Sequence, residues 1–464
     1  MRWGPSDRTL KQVLRAAFVA LLLIGSFSTG YAQEPPLSVP KNMLPVRPGD
    51  ALALDGWLFY PTVRTYTQYS DNVFQTVFNP ISAWSWGITP GLIAEWSNGI
   101  HTTTLYGNLN LLRYPTETEI NVFDRKAGVV QKYEALRDLI FRVQGDYTHQ
   151  TYASVVTAIP GAIAAPGAIT LPNGNIQMPN GDIISPITGL VVGHVSPSLN
   201  VLGTGTLINP SDQFTGIASI EKILNRGFIG LTGSLSRTEY QNTLLASDYT
   251  AKTLTGRGSV WLSPVFYAYT DATFNSTTYA TASATTAYRA VGGIGTRQFG
   301  LFRASGYYGH QGSEVQDSGT AGGEVYGGRL TYYPTPISTI GIGVDETVNI
   351  SHQTAVTNVA LNNQTPSALV IPIGVSTRIT GTSLNTSYLI SRQWSAYGSF
   401  GYTRAQYIDS PRVDNAWLAD VVFQYQMWRN MTLSWEYQYS SIVSNVPLSS
   451  SQRNFVSMGA TYKF

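Results

Sequence analysis

The chain has 464 residues, a formal net charge of +2, no Cys and 43% hydrophobic residues. The lack of Cys excludes lipid attachment at a Cys and disulfide bonds, and the near-neutral charge argues against a nucleic-acid partner. Tyr, Phe, Trp and Gly are abundant (28, 17, 10 and 44 residues) while helical periodicity is scarce, which favours a strand-rich fold.

The N-terminal 32 residues have the three parts of a secretory signal peptide. Basic residues precede an apolar run over 16–24, and small residues follow up to Ala32. This run is too short for a transmembrane helix. We therefore predict a signal peptide over 1–32, a Pro-rich periplasmic lead-in over 33–50 and a transmembrane β-barrel over 51–464.

Strand-like segments then follow one another to the C-terminus. We predict eighteen, at 57–70, 83–97, 101–113, 121–135, 138–151, 213–224, 227–241, 251–263, 265–279, 286–298, 300–311, 322–334, 337–350, 377–391, 394–408, 416–428, 431–442 and 454–464.

Apolar and polar residues alternate along these segments. In the segment 431–442, Met, Leu, Trp and Tyr occupy successive odd positions, and polar residues such as Glu436 occupy the even ones. A charge on every second position cannot face lipid cheaply, so it must face a wet interior. The last segment alternates in the same way and ends on Tyr462 and Phe464, which resemble the C-terminal insertion signal of outer-membrane barrels.

The connections between the segments alternate in length. Tight turns such as Asn225-Arg226 and Arg429-Asn430 separate longer connections such as 242–250 and 351–376. Short turns on one side and long loops on the other are typical of outer-membrane barrels, whose turns face the periplasm. The sequence therefore predicts an all-β, antiparallel, multi-pass barrel of about 18 strands in the cell outer membrane.

Aromatic residues near the turn ends of the segments fit the interfacial girdle of such a barrel. They include Trp57, Trp96, Trp394, Trp428 and Tyr462.

One connection departs from this regularity. The long extracellular loop 152–212, between predicted strands 5 and 6, is rich in Pro and Gly, and between Tyr152 and Ser211 Asp182 is its only charged residue apart from His194 if protonated. A loop this long and uncharged is unusual as a free coil in water. We hypothesise a lid over the lumen, and a cap packed on the barrel surface is the alternative.

Eighteen strands enclose a lumen too wide for side chains to fill, so a channel is expected. The predicted lumen-lining residues are Arg64, Tyr66, Glu95, Tyr106, Arg142, Asp146, Arg257, Tyr267, Asp271, Arg289, Arg303, Arg329, Arg378, Asp420 and Glu436. Arg residues outnumber acids, which favours anionic or weakly polar solutes. The alternative is that the wall charges pair with one another and only stabilise the barrel.

No constellation for catalysis emerges from the sequence. His149, His310 and His352 fall on the lipid-facing phase of separate strands, where they cannot converge on a metal. Contact with lipopolysaccharide head groups and unremarkable rim placement are the other interpretations. We predict that the protein is not an enzyme and has no cofactor, while a surface enzyme or an adhesin using the long loops is the competing class.

A short motif follows the first predicted strand, Tyr69-Ser70-Asp71-Asn72-Val73-Phe74. With the signal peptide and the aromatic C-terminal strand, this motif resembles the putative β-barrel porin 2 family of outer-membrane proteins. The resemblance implies a passage for export of an exopolysaccharide or capsular polysaccharide. A general diffusion porin for small solutes is the alternative.

The partners that we expect follow from the predicted location and from the resemblance. They are outer-membrane lipid and lipopolysaccharide, the barrel assembly machinery during insertion, and a periplasmic polysaccharide-export component.

Overall fold

The structure, a computed structural model, describes most of the chain after residue 51. The described residues are 52–73, 80–116, 120–153, 156–159, 169–170, 176–177, 182–184, 191–194, 199–202, 207–243, 247–281, 283–315, 319–359, 367–408, 411–446 and 450–464. The predicted signal peptide and the predicted lead-in lie outside these residues.

Eighteen long strands, β1 to β18, run through the described part of the chain. They are β1 Trp57–Ser70, β2 Ala83–Ser97, β3 His101–Arg113, β4 Val122–Leu136, β5 Leu139–Ala153, β6 Leu207–Leu224, β7 Gly227–Tyr240, β8 Tyr249–Trp261, β9 Phe266–Tyr279, β10 Thr285–Thr296, β11 Phe302–Val315, β12 Gly319–Thr335, β13 Ser338–Val359, β14 Ser367–Leu389, β15 Trp394–Tyr407, β16 Val413–Trp428, β17 Met431–Ser444 and β18 Ser451–Lys463.

The strands form one closed antiparallel sheet. Each strand pairs with the next along the chain, and β18 returns to β1 with Thr62 opposite Lys463 and Ser70 opposite Phe455. Closure leaves no sheet edge to be satisfied by lipid, which is the condition for crossing a membrane with strands. The predicted eighteen-stranded antiparallel barrel is confirmed. No helix among the described residues is long and apolar enough to span a membrane.

The two faces of the wall follow from the register, because residues directly opposite each other on paired strands share a face. Trp84, Trp86 and Leu92 of β2 are 60%, 55% and 45% exposed and alternate with residues that are less exposed. Across the seam, Val456 and Met458 of β18 continue this exposed apolar face. We call this the outer face, since an exposed apolar band is what lipid requires.

Aromatic rings of the outer face gather near the short turns. Trp57 is opposite Trp96, and Trp394 stacks on Trp435 with ring centroids 5.8 Å apart. Trp428, beside the turn between β16 and β17, is 58% exposed. These positions are those of an interfacial girdle.

A short strand, Leu52–Leu54, precedes β1 and pairs with its first residues. The two-residue turn between them is Asp55-Gly56, and both residues have positive φ, 49° and 80°. An Asp-Gly pair between two apolar runs is the usual signal for this type of hairpin turn. The sequence therefore carried the signal for this hairpin, and our strand prediction missed it.

Two predicted loops are shorter than expected. The predicted loop over 351–376 is largely strand, since β13 and β14 continue as a paired hairpin to Val359 and Ser367. Within the predicted loop 152–212, Leu207 and Ile208 already pair with β5, and Val156–Ile159 pairs with Leu199–Leu202. The other described residues of this loop form short strands, and the side chains that would form the hypothesised lid lie outside the described residues.

Candidate channel wall

The face opposite the exposed apolar one lines the inside of the barrel, and we call it the inner face. By register, it carries fourteen of the fifteen predicted lumen-lining residues: Arg64, Tyr66, Glu95, Tyr106, Arg142, Asp146, Arg257, Tyr267, Asp271, Arg289, Arg303, Arg329, Asp420 and Glu436.

Arg378 is the exception by register, and its place in the lumen stays a prediction. It lies on the same face of β14 as Leu384 and Tyr388, which are 43% and 47% exposed on the outer face. Its guanidinium lies 3.6 Å from Glu346, which also accepts a hydrogen bond from Tyr326 of the outer face. Arg378 is the middle residue of β14, but it is opposite Gln406 at the loop end of β15, where a charge near the membrane boundary is tolerated.

Two arginines of the inner face are paired with acids on neighbouring strands. Arg142 of β5 lies 2.5 Å from Glu221 of β6, and their side chains are 7% and 18% exposed. Arg257 of β8 donates to Asp271 of β9 from both Nε and Nη2, at 2.9 and 2.5 Å. In both pairs the carboxylate neutralises a positive charge that would otherwise act on a solute.

A tyrosine joins charges of opposite sign further round the wall. The guanidinium of Arg289 lies 5.0 Å from the ring centre of Tyr307, and the Tyr307 hydroxyl donates to Asp345 at 3.0 Å. A cation over an aromatic face is attracted by the ring's quadrupole, so the ring links the cation to the acid. Tyr307 and Asp345 were not among the predicted residues, because only the register brings their strands together.

Near the seam, Tyr66 has a similar role. Its hydroxyl donates to Asn110 at 2.7 Å, and Asn110 donates in turn to Asp124 at 3.3 Å. The Arg64 guanidinium lies 5.1 Å from the centre of the Tyr66 ring. The network crosses β1, β3 and β4 and ties the seam strand to its neighbours.

Tyr106 and Asp146 meet through Gln144. The Gln144 amide lies within hydrogen-bonding distance of both, 3.3 Å from the Tyr106 hydroxyl and 2.6 Å from the Asp146 carboxylate.

The remaining predicted acids lie elsewhere on the inner face. Asp420 of β16 is opposite Gln438, and Glu436 of β17 is opposite Val422. Glu95 lies near the turn end of β2, opposite Leu58 and Thr104.

Five of the inner tyrosines share a second feature, because each of the five lies opposite a glycine on the next strand. A Cβ atom placed on any of these glycines would come within 2.3 to 2.5 Å of the tyrosine ring, so the ring lies across the glycine. The wall thus carries flat rings laid against it instead of rings that project across the lumen. The five pairs are Tyr66 with Gly87, Tyr106 with Gly128, Tyr267 with Gly295, Tyr269 with Gly293, and Tyr307 with Gly327.

A band of uncharged polar side chains continues the inner face from β6 to β9. Thr255 and Thr273 share a hydrogen bond at 3.2 Å, and Asn275 donates to Thr253 at 2.8 Å. Gln213 donates to Ser236 at 3.0 Å. Hydroxyl and amide groups both donate and accept, so this band can exchange hydrogen bonds with water or with a hydroxylated solute.

At the loop end, an apolar cluster forms on the inner face between β2, β3 and β4. Tyr114 and Ile120, which flank the connection between β3 and β4, are 8% and 2% exposed and pack with Ala83, Leu112 and Val122. The Tyr114 hydroxyl accepts a weak hydrogen bond from Gln68 at 3.5 Å.

The predicted insertion signal lies at the seam. The rings of Tyr462 and Phe464 meet edge to face at 4.9 Å, and both are exposed on the turn side of the outer face. The Phe464 amide donates to the Pro61 carbonyl at 3.1 Å, so the last residue continues the closing ladder. Among the described residues, no three His, Asp or Glu side chains are grouped in a way that could hold a metal ion.

A closed barrel with an apolar outer face and a polar inner face defines an outer-membrane channel of the porin type. The chain belongs to the putative beta-barrel porin 2 family, whose model matches residues 195–464, more than half of the chain. It is therefore a multi-pass β-barrel protein of the cell outer membrane.

A search among curated proteins gave no match. The crystal structure of OpdQ from Pseudomonas aeruginosa is 8% identical, with a TM-score of 0.46 over 88% of this chain and 97% of that one. That of OpdL from the same organism is 13% identical, with a TM-score of 0.45 over 89% of this chain and 100% of that one. Likeness at this level says nothing about what the chain transports.

Proposed function

We propose that this channel is the outer-membrane passage for a surface polysaccharide. The observation that carries the proposal is the set of flat tyrosine rings on the inner face. Tyr66, Tyr106, Tyr269 and Tyr307 are only half-buried, and each ring lies along the wall. The C–H faces of sugar rings pack on such aromatic faces, and a polymer meets them one after another as it moves.

The uncharged band from β6 to β9 supports the same proposal. Its Thr, Ser, Asn and Gln side chains are already joined to one another by hydrogen bonds of 2.8 to 3.2 Å. Sugar hydroxyls can replace these partners one for one, at little cost in hydrogen-bond energy. Many weak, replaceable contacts let a polymer bind and still move on, which a conducting channel requires.

The alternative, a diffusion porin for small solutes, is favoured by the paired wall charges. Arg142 with Glu221 and Arg257 with Asp271 leave little local excess of charge, which suits neutral and mixed solutes.

Catalysis forms no part of either proposal, since channel function needs only the wall. A periplasmic export component would deliver the polymer to the turn end of the barrel.

The first test compares secreted and cell-bound polysaccharide in a strain lacking this gene with the same strain complemented. We expect a loss of polymer that the wild-type gene restores. Unchanged polymer in the deletion strain would contradict the export proposal and leave the small-solute porin as the better account.

The second test separates sugar contact from barrel stability. Tyr269→Leu and Tyr307→Leu remove two rings from the inner face, and we expect the double variant to restore much less polymer than wild type. Tyr288→Leu is the matched control, because Tyr288 lies across Gly312 in the same way on the outer face. Equal restoration by all three genes would show that the inner rings are structural only.

A further inference from the structure

Charged side chains also occur on the outer face, and they gather at the loop end of the strands. On β4, β7 and β8, Arg125, Arg237 and Lys252 all lie on this face and are exposed. Arg237 and Lys252 are diagonal neighbours, since Arg237 is opposite Thr250 and Lys252 is opposite Leu235. We call these three residues the basic patch.

Two aromatic rings connect the arginines of the basic patch. The Arg125 Nε donates to the Tyr147 hydroxyl at 3.1 Å, and its guanidinium lies 5.4 Å from the centre of that ring. Tyr147 packs on Phe214 with ring centroids 5.0 Å apart, and Phe214 is opposite Arg237. The patch is therefore a lipid-facing aromatic surface with a guanidinium at each end.

The acids near the basic patch leave most of its donors available. Asp212 already accepts hydrogen bonds from Tyr147 at 2.5 Å and from His149 at 2.9 Å. Glu239 lies 2.7 Å from Arg237, and their side chains are 44% and 67% exposed. An ion pair this exposed contributes little, so a stronger anion can displace it. Each guanidinium has five N–H donors, of which Arg125 uses one in the described contacts.

We propose that the basic patch binds the phosphate groups of lipid A, the lipid anchor of lipopolysaccharide. Long loops of outer-membrane barrels face the cell exterior, so the patch lies in the leaflet that holds lipopolysaccharide. Arginine recognises phosphate by two parallel hydrogen bonds. Arg125 and Arg237 are three strands apart, or roughly 14 Å at the usual strand spacing. One arginine thus faces each end of a disaccharide that carries a phosphate at both ends, while acyl chains cover Tyr147 and Phe214.

The opposite side of the barrel lacks this complementarity. There the outer face carries Glu314, Glu324 and Glu346, and the nearby cations Arg378 and Arg404 lie beside Glu346. Acids repel phosphate, so this side is expected to hold lipid A weakly. It supplies a matched control of two arginines, Arg378 and Arg404, for the two arginines of the basic patch.

The test compares Arg125→Gln/Arg237→Gln with Arg378→Gln/Arg404→Gln in the full-length barrel purified in detergent. Native mass spectrometry measures retention of added lipid A in bisphosphorylated and dephosphorylated forms. We expect the basic-patch variant to lose about tenfold or more of its affinity for the bisphosphorylated form, since each lost bond is charge-assisted. The control variant should bind like wild type, and dephosphorylated lipid A should bind weakly to all three proteins.

Equal retention of both lipid forms by wild type would overturn the proposal, as would equal losses in the two variants. The shift in electrophoretic mobility between unheated and heated protein shows whether each variant is a folded barrel. If the basic-patch variant does not fold, single Arg125→Gln and Arg237→Gln variants take its place. Each single variant should lose affinity for the bisphosphorylated form only, and retention like wild type in both would overturn the proposal.

Discussion

At the scale of single residues, burial decides what an ion pair contributes. Arg142–Glu221 and Lys222–Asp138 have the same N–O distance, 2.5 Å, and differ in exposure. The first pair has side chains 7% and 18% exposed, and the second 41% and 47%. Removing one partner of a buried pair leaves an uncompensated charge, whereas an exposed partner is solvated by water.

We therefore predict that Arg142→Met lowers the free energy of unfolding by about 3 kcal/mol, because Glu221 is left buried and unpaired. Urea unfolding in detergent micelles, followed by Trp fluorescence, measures the change. Lys222→Met is the control and should unfold like wild type. The hydrogen bond from Lys222 lowers the pKa of the Asp138 carboxyl, so Asp138 is ionised at neutral pH. Equal effects of both substitutions would contradict the importance of burial.

At the scale of elements, the last strand decides whether the barrel closes. β18 pairs with β17 along one edge and with β1 along the other, and the Phe464 amide extends the second ladder. A sheet with an unpaired edge cannot stay in hydrocarbon, because each unpaired backbone group costs several kcal/mol. The C-terminal strand therefore has a larger role in assembly than its length suggests.

For this reason, and because Tyr462 and Phe464 are the predicted insertion signal, we expect Phe464→Ala to reduce the amount of barrel assembled in the outer membrane several-fold. Quantification of heat-modifiable protein in outer-membrane fractions measures it. Phe299→Ala is a suitable control, since Phe299 lies in a short turn and is 68% exposed. Normal assembly of Phe464→Ala would show that the Phe464 side chain is not part of the insertion signal.

At the scale of the whole molecule, the inner face is a wall of mixed charge. Pairs such as Arg257 with Asp271, and the bridge from Arg289 through Tyr307 to Asp345, place opposite signs side by side. Closely spaced opposite charges cancel at the distance of a solute in a wide lumen. The channel as a whole is thus suited to weak selection by charge.

We predict weak ion selectivity in planar bilayers, with the chloride-to-potassium permeability ratio within about threefold of unity. Arg289→Gln should shift the reversal potential in a KCl gradient toward cation preference, because a positive charge leaves the inner face. Arg237→Gln should leave it unchanged, because Arg237 is exposed on the outer face, opposite Phe214. A shift of equal size in both variants would contradict the assignment of the two faces.

The sequence alone determined the class of fold, the number of strands and most of their bounds. Alternation of apolar and polar residues is a local property, and in a membrane it is a clear signal because the outward positions in contact with hydrocarbon are mostly apolar. The bounds of β4 were predicted to within one residue, although charged residues lie on both of its faces. Asp124 and Lys126 are on the inner face, and Arg125 is on the outer face.

Only the tertiary structure decided which residues meet. Arg142 and Glu221 are 79 positions apart in the chain. The five inner tyrosines lie opposite glycines because of the register between neighbouring strands, and the periodicity of the sequence does not contain that register. Arg125 and Arg237 show the limit of the rule that charges face inward, because near the loops the outer face leaves the hydrocarbon. The paired extension of β13 and β14 to Val359 and Ser367 is likewise a matter of register between two strands.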